Sequence, residues 1–230
     1  MLGTIVNAAA IVIGAMIGIL LKTGIPEKIK NTMMQGIGLS VIVIGLSMAL
    51  KTENIIITIL SLVLGGIIGE VLQIEERLED LGKWIETKLG RGSTGDFTKA
   101  FVTASLVYCI GAMAVMGALE SGLTGKHDIL YAKSTLDGIS SVIFASSLGI
   151  GVAFSALPVL IYQGLITFAA TFVKVFLTDS VINEMTAAGG VLILGIGLNI
   201  LGITKIKIGN MLPAIFGAVF FVLIAANLSF

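Results

Sequence analysis

Residues 2–21 read LGTIVNAAAIVIGAMIGILL, a run of twenty residues without a charged side chain. An α-helix needs about twenty apolar residues to cross the hydrocarbon core of a bilayer. The run is longer than the apolar part of a cleavable signal peptide, no charged segment precedes it, and Lys22 follows it. We therefore expect a first membrane-spanning helix here rather than a signal peptide that is removed.

The composition of the whole chain also fits a bilayer environment. Of its 230 residues, 56% are hydrophobic and 12% charged, and the mean hydropathy is +1.07. A soluble domain carries about 25% charged residues. The net charge is zero, which leaves no basic surface for nucleic acid. The sequence therefore predicts an all-α, polytopic integral membrane protein that is embedded in the lipid bilayer.

Further apolar runs with at most one charged residue locate the other spans. Clear runs cover roughly 32–50, 54–74, 99–119, 186–203 and 209–228. A longer uncharged stretch from Gly138 to Val173 has 36 residues. As one helix it would be about 54 Å long, more than a bilayer requires. We expect two helices between Ser134 and Leu177, with a turn near 156–158 at Pro158, which brings the total to about eight helices.

Lys and Arg residues predict the orientation. Of the 14, ten fall in loops on one side and four on the other, namely Lys51, Lys126, Lys133 and Lys174. The side richer in Lys and Arg is normally cytoplasmic. We therefore expect both termini outside and the loops 22–31 and 75–98 in the cytoplasm.

The loop segment 75–89 has a pattern of its own. Leu78, Leu81, Ile85 and Leu89 recur at helical spacing among charged residues, and Trp84 lies in the same segment. This pattern is typical of an amphipathic helix on the cytoplasmic membrane interface. A soluble linker helix that packs on the protein itself is the alternative.

The chain also contains a weak internal repeat. Asn31–Thr52 aligned with Asn183–Thr204, an offset of 152, has seven identities in 22 positions. Composition alone would give roughly two. We expect repeats at about 1–74 and 157–230, helices 1–3 and 6–8, around a central helix pair at 98–156. Equivalent helices five positions apart make the repeats inverted, as in many secondary transporters. The alternative is that apolar, glycine-rich helices simply look alike.

Signatures of catalysis are absent from the sequence. It has no glycine-rich phosphate loop ending in Gly-Lys-Ser/Thr and no His-Glu-x-x-His. The one histidine is His127, in a predicted loop, and the one cysteine is Cys109, so neither an internal disulfide nor a multi-cysteine metal site can form. We expect no enzyme, no catalytic residues, no metal and no cofactor.

The central region carries the most informative polar residues. Asp137, Ser140 and Ser141 lie on one helical face, with Ser147 at its border. Such a face should contact a cavity or another helix rather than lipid. Asp137 could bind a cation or proton, with the serines lining the path. Alternatively, Ser134 to Asp137 fits a capping box that satisfies free N–H groups, and in a helix that began earlier Lys133 could reach Asp137.

Two amides complete the predicted substrate or ion pathway. Asn7 shares a small-residue face with Gly14 and Gly18, and it could bond a neighbouring backbone or contact substrate. Asn199 follows Gly195-x-Gly197, a pattern that could mark a broken helix. The same glycines, Gly14 and Gly18, could also join two copies of the chain, so we expect a homo-oligomer, most simply a dimer.

Several segments resemble one known family. These are 3–7 (GTIVN), 102–113 (VTASLVYCIGAM), 117–125 (GALESGLTG), 133–138 (KSTLDG) and 147–158 (SLGIGVAFSALP). They are similar to the YdfK/YqgA-like family of uncharacterised bacterial inner-membrane proteins. The resemblance implies a multi-pass protein of the bacterial cytoplasmic membrane. It also implies a transporter, without indicating a substrate.

Together these features predict a secondary transporter or channel for a small solute or ion. The alternative is a non-transporting scaffold or sensor that works through its Lys- and Glu-rich cytoplasmic loops.

Overall fold

The computed structural model describes residues 1–22, 26–88, 96–110, 112–173 and 178–228. In these residues every regular element is helical, which confirms the all-α class. The helices are α1 (Leu2–Lys22), α2 (Glu27–Ala49), α3 (Ile55–Leu72), α4 (Ile74–Lys88), α5 (Asp96–Cys109), α6 (Ala112–Thr124), α7 (Asp128–Leu148), α8 (Gly151–Phe154), α9 (Ala156–Val173), α10 (Asp179–Ile200), a 3₁₀ turn (Gly209–Met211) and α11 (Pro213–Leu228).

Five helical segments of the described chain are long and apolar enough to cross a membrane. They are Leu2–Leu21, Ile55–Leu72, Gly151–Ala170, Asp179–Ile200 and Gly209–Ala226. The bent pair α5–α6 makes a sixth if the two count as one span. The apolar part of α2, Met34–Ala49, is shorter, and α7 carries Lys133 and Asp137. The total of eight helices therefore stays a prediction.

The outer faces of these segments are apolar. Val71 is 78% exposed, Phe168 75% and Phe172 79%. Large side chains this exposed would be costly in water, whereas hydrocarbon solvates them.

Two predicted boundaries are wrong. The span predicted over 99–119 is two helices, α5 and α6, with a bend of 60° between them. Gly111, which lies between them in sequence and outside the described residues, has a low intrinsic helix propensity. The turn predicted near 156–158 occurs earlier: Gly149 has a φ of +98° and follows the end of α7. Pro158 instead lies in the first turn of α9, where backbone N–H groups have no intrahelical acceptor.

The described chain forms two units. The first contains Met1–Ile37, Arg77–Cys109 and Met113–Thr171, and the second contains Gly38–Glu76, Ile110–Ala112 and Phe172–Phe230. Each unit therefore combines segments from both predicted repeats.

In the first unit, α1 packs closely against α7. A methyl group added at Gly14 would overlap the carbonyl oxygen of Gly138, and one added at Gly18 would overlap that of Val142. Only glycine allows two helix backbones to approach this closely. The predicted dimer face at Gly14 and Gly18 is therefore wrong, because both glycines are buried against α7 of the same chain.

Helix α4 begins in the second unit and continues into the first, where it packs on α5. Ile85 forms a buried cluster with Phe97 and Phe101, whereas Trp84 remains 60% exposed and Leu81 38% exposed. The amphipathic helix predicted over 75–89 is thus a helix, although Leu89 lies outside the described residues. One side contacts protein and another leaves apolar side chains exposed.

In the second unit, α2 and α10 cross in antiparallel directions through glycines. A methyl group at Gly38 would overlap Leu201, and one at Gly45 would overlap the backbone of Leu194. The partner glycines behave the same way: Gly190 meets the backbone of Ala49, and Gly197 meets Ile42. These four contacts form two equivalent pairs at the sequence offset of 152. Gly38 with Leu201 corresponds to Gly190 with Ala49, and Gly45 with Leu194 corresponds to Gly197 with Ile42.

The pair α3 and α11 is also antiparallel and glycine-mediated. Gly65 lies against the backbone of Ala214, and a methyl group at Gly217 would lie 3.4 Å from Cα of Ser61. Gly65 and Gly217 are again equivalent at an offset of 152.

Candidate functional site

An ion pair lies inside the first unit, on α7. The Lys133 ammonium donates to both carboxylate oxygens of Asp137, at 2.9 and 2.7 Å, and each side chain is only 8% exposed. The contact forms because residues four apart share one face of a helix. The capping-box interpretation is wrong: α7 begins at Asp128, so Ser134 and Asp137 lie in the helix interior, past the free N–H groups of the first turn.

Two further helices bring amides to this pair. On α1, Asn7 donates from Nδ2 to Asp137 Oδ2 at 3.0 Å and to Gln163 Oε1 of α9 at 3.5 Å. Asn7 and Gln163 are fully buried. We call Asn7, Lys133, Asp137 and Gln163 the buried polar cluster. The close α1–α7 packing at Gly14 lies two turns from Asn7 and fixes it beside Asp137.

The buried polar cluster is not fully satisfied. Asn7 Oδ1 and Gln163 Nε2 have no hydrogen-bond partner among the described residues, and neither does the hydroxyl of Thr4, one turn before Asn7 on α1. All three side chains are fully buried. Buried polar groups are nearly always paired, so unpaired ones need an explanation such as a bound water, ion or ligand.

The predicted serine face of α7 points inward. Ser141 donates to the Tyr108 hydroxyl of α5 at 2.9 Å, and Ser140 donates to the backbone carbonyl of Asp137. Ser147 is buried, and its hydroxyl has no partner in the described chain. On the opposite face, Ile139 is 59% exposed.

Asn199 lies in the second unit and not in the buried polar cluster. Its Nδ2 donates to the carbonyl of Ile206, and its Oδ1 accepts from the Thr204 hydroxyl and the Ile206 N–H. The amide closes the loop after α10. The broken helix predicted at Gly195-x-Gly197 is wrong, because α10 continues to Ile200.

Sequence reasoning missed a buried carboxylate in the second unit. Glu184 on α10 is 1% exposed and accepts from the hydroxyls of Thr52 and Thr58 and from the N–H groups of Glu53 and Asn54. It satisfies donors at the start of α3. The sequence predicts a span that begins at 186 and so leaves Glu184 outside it, whereas α10 begins at Asp179.

A cleft of about 300 Å³ adjoins this carboxylate. Its polar lining includes Glu53 and Ser180, which bond each other. Because the Glu184 carboxylate already accepts from four donors, we interpret it as a cap for the start of α3.

A set of charged side chains in the same unit is exposed. Lys207 donates to Glu70 at 2.8 Å and to Glu76 at 2.9 Å, and Asn210 also donates to Glu70. The hydrogen bond from Lys207 lowers the pKa of Glu76, and the bond to Glu70 raises the pKa of Lys207. One lysine shared by two glutamates leaves a net charge of −1 at the end of α3.

Comparison with known proteins gives the family. Over residues 2–223 the chain matches the family described as "Protein of unknown function (DUF554)". It is 34% identical over 236 residues to "Uncharacterized membrane protein YdfK" of Bacillus subtilis (strain 168), covering 100% of both chains. It is 34% identical over 221 residues to "Uncharacterized protein YqgA" of Escherichia coli (strain K12), covering 93% of both. No solved structure matches the chain.

The family resemblance seen in the sequence is thereby confirmed. The helices long enough to cross a bilayer agree with the printed name of the Bacillus relative. The chain is a membrane protein and belongs to the DUF554 family.

Proposed function

We propose that the protein is a secondary transporter or channel for a small solute or ion in the bacterial inner membrane. The observation that carries this proposal is the buried polar cluster. An ion pair at 2.7 Å with two fully buried amides lies among helices whose outer faces are apolar. Ionisable residues inside a membrane domain are costly, and they mostly mark substrate or ion pathways.

A purely structural role explains the cluster less well. A scaffold gains nothing from three unpaired buried polar atoms, since each unmade hydrogen bond costs about 1–3 kcal/mol. Thr4 could be valine without the loss of any hydrogen bond made in the described chain. A transport site exchanges hydrogen-bond partners as its ligand passes, so it needs buried polar atoms that are free to bind the ligand.

The internal repeat supports the same function. The glycines at equivalent repeat positions, Gly38 with Gly190 and Gly45 with Gly197, lie at equivalent points of the α2–α10 crossing. Because these helices run antiparallel, two repeats built around this crossing have opposite orientation in a membrane. Inverted repeats are typical of secondary transporters.

The proposed topology has eight helices and both termini outside. Lys133, first assigned to an outside loop, is buried in α7, so that side keeps three basic residues of its four. The asymmetry with the cytoplasmic side becomes larger. We also propose a homodimer, through a face other than Gly14 and Gly18.

The experiment is a flux assay in proteoliposomes with Na⁺, K⁺, Cl⁻, urea, glycerol and glycine as probes. The cluster is altered by the double variant Lys133→Gln/Asp137→Asn, which removes both charges together. Gln35→Leu is the control, because it removes an exposed amide of α2 outside the cluster. We expect at least one probe to cross faster with the wild type and the control than with the double variant.

The alternative, a scaffold or sensor, predicts another result. In that case the folded wild type moves no probe faster than empty liposomes do. That outcome would contradict a transport function for this protein.

A further inference from the structure

The buried polar cluster carries no net charge. Its ammonium and its carboxylate, from Lys133 and Asp137, contact each other directly. In the described chain the other buried charged side chains are Glu86, which bonds Thr98, and Glu184, which belongs to the second unit. A lone ion that entered the cluster would lose its hydration without meeting an unpaired opposite charge.

The cluster and its neighbour on α1 offer hydrogen-bonding groups that no described residue uses. Asn7 Oδ1 is a free acceptor and Gln163 Nε2 is a free donor. One turn before Asn7, the Thr4 hydroxyl can act as either. The Lys133 ammonium gives two bonds to Asp137, so within the described residues one of its three donors remains unused. The unused groups therefore match a molecule that both donates and accepts hydrogen bonds.

We propose that the cluster binds a small polar solute without net charge, neutral or zwitterionic, and does not bind a lone ion. This inference rests on the proposed function and names the ligand class of the same site. The ligand is small because α1 and α7 are in backbone contact beside the site, at Gly14 and Gly138. Water belongs to the same chemical class and is tested separately.

The test separates uncharged probes from ions in proteoliposomes. Stopped-flow light scattering follows water, urea and glycerol, radiolabelled glycine follows a zwitterion, and ion-sensitive dyes follow Na⁺, K⁺ and Cl⁻. The variant Gln163→Leu removes the free donor, and Gln35→Leu is the matched control. Because Gln163→Leu could disturb folding, Thr4→Val serves as a second variant, which keeps the shape and breaks no hydrogen bond made within the described chain.

We expect one or more uncharged probes to cross faster with wild type than with empty liposomes. Gln163→Leu and Thr4→Val should slow that flux by about tenfold, the order expected for one lost hydrogen bond. Gln35→Leu should not. Flux of water alone would identify the ligand as water, and flux of urea, glycerol or glycine would identify a solute.

Two results would overturn the inference in different ways. An ion flux that depends on Gln163 and Thr4, without flux of an uncharged probe, would contradict the ligand class and leave the transport function standing. Folded protein that moves no probe at all would contradict the transport function, and the ligand class with it.

Discussion

The Lys133–Asp137 pair decides how this site can be tested by mutation. A buried ion pair is expensive to break on one side only, because the remaining charge has no partner in a medium of low dielectric constant. Both side chains are 8% exposed at a contact of 2.7 Å. A change of Asp137 alone therefore reports stability as well as function.

We predict that Asp137→Asn lowers the unfolding free energy by about 3–5 kcal/mol, the usual range for breaking one side of a buried pair. The double variant Lys133→Gln/Asp137→Asn should recover a large part of this loss, since it leaves no unpaired charge. Thermal unfolding in nanodiscs measures both. A single variant as stable as the double variant would contradict the buried pair.

The residue contacts differ in how far the sequence could predict them. Lys133 and Asp137 are four residues apart, so helical geometry alone places them together. Asn7 and Asp137 are separated by 130 residues, and their contact depends on how α1 packs against α7. The contacts of Glu184 are harder still to predict, because its partners include backbone N–H groups at the start of another helix.

Adjacent glycines of α3 test the packing of helices. We predict that Gly65→Ala destabilises the protein, because the new methyl group would overlap the Ala214 backbone, which cannot move aside as a side chain can. Gly66→Ala is the matched control in the same helix. Its methyl group would meet only Met211 Cγ, at 3.9 Å.

The control should stabilise by about 0.5–1 kcal/mol, since alanine favours a helix over glycine. We expect the unfolding temperature to fall in the Gly65→Ala variant and to rise in the Gly66→Ala variant. Equal effects of the two variants would contradict the α3–α11 contact.

Helix α4 can be located with the only tryptophan in the chain, Trp84. Its ring is 60% exposed, with the Lys88 ammonium 6.0 Å from the ring centre. We predict that α4 lies on the membrane interface, where tryptophan prefers to be. Brominated lipids should then quench Trp84 fluorescence in liposomes, and aqueous iodide should quench it weakly. Strong iodide quenching without lipid quenching would indicate a soluble linker helix instead.

Helix ends were the less predictable part of the elements. Apolar runs predict α1 and α3 to within two residues at each end, because hydrocarbon thickness sets the length of a span. The predicted turn at Pro158 is wrong because α7 already ends at Leu148, before Gly149. Proline is compatible with the first turn of a helix, whereas the φ of +98° at Gly149 is not helical.

At the scale of the whole molecule, the inverted repeat makes a sharp prediction about sidedness. Lys51 follows α2 and Lys205 follows its equivalent, α10, and both are exposed. If the repeats are inverted, the loops that follow these two equivalent helices lie on opposite sides of the membrane. Cysteines placed there in a Cys109→Ala background should react with an impermeant thiol reagent from outside at Lys51 and only after permeabilisation at Lys205. Labelling of both from the same side would contradict the inverted repeat.

A measurement that requires no knowledge of the substrate tests whether the buried polar cluster lies on a pathway through the protein. Thr4→Cys and Ile11→Cys, each in the Cys109→Ala background, place a thiol at two fully buried positions of α1. Thr4 has an unpaired, buried hydroxyl one helical turn before Asn7 of the cluster, whereas Ile11 belongs to the apolar core. A small, water-soluble thiol reagent is added to the folded protein in liposomes. We predict that the thiol at position 4 reacts and that the thiol at position 11 does not. If neither thiol reacts, water never reaches the cluster, and the claim is contradicted.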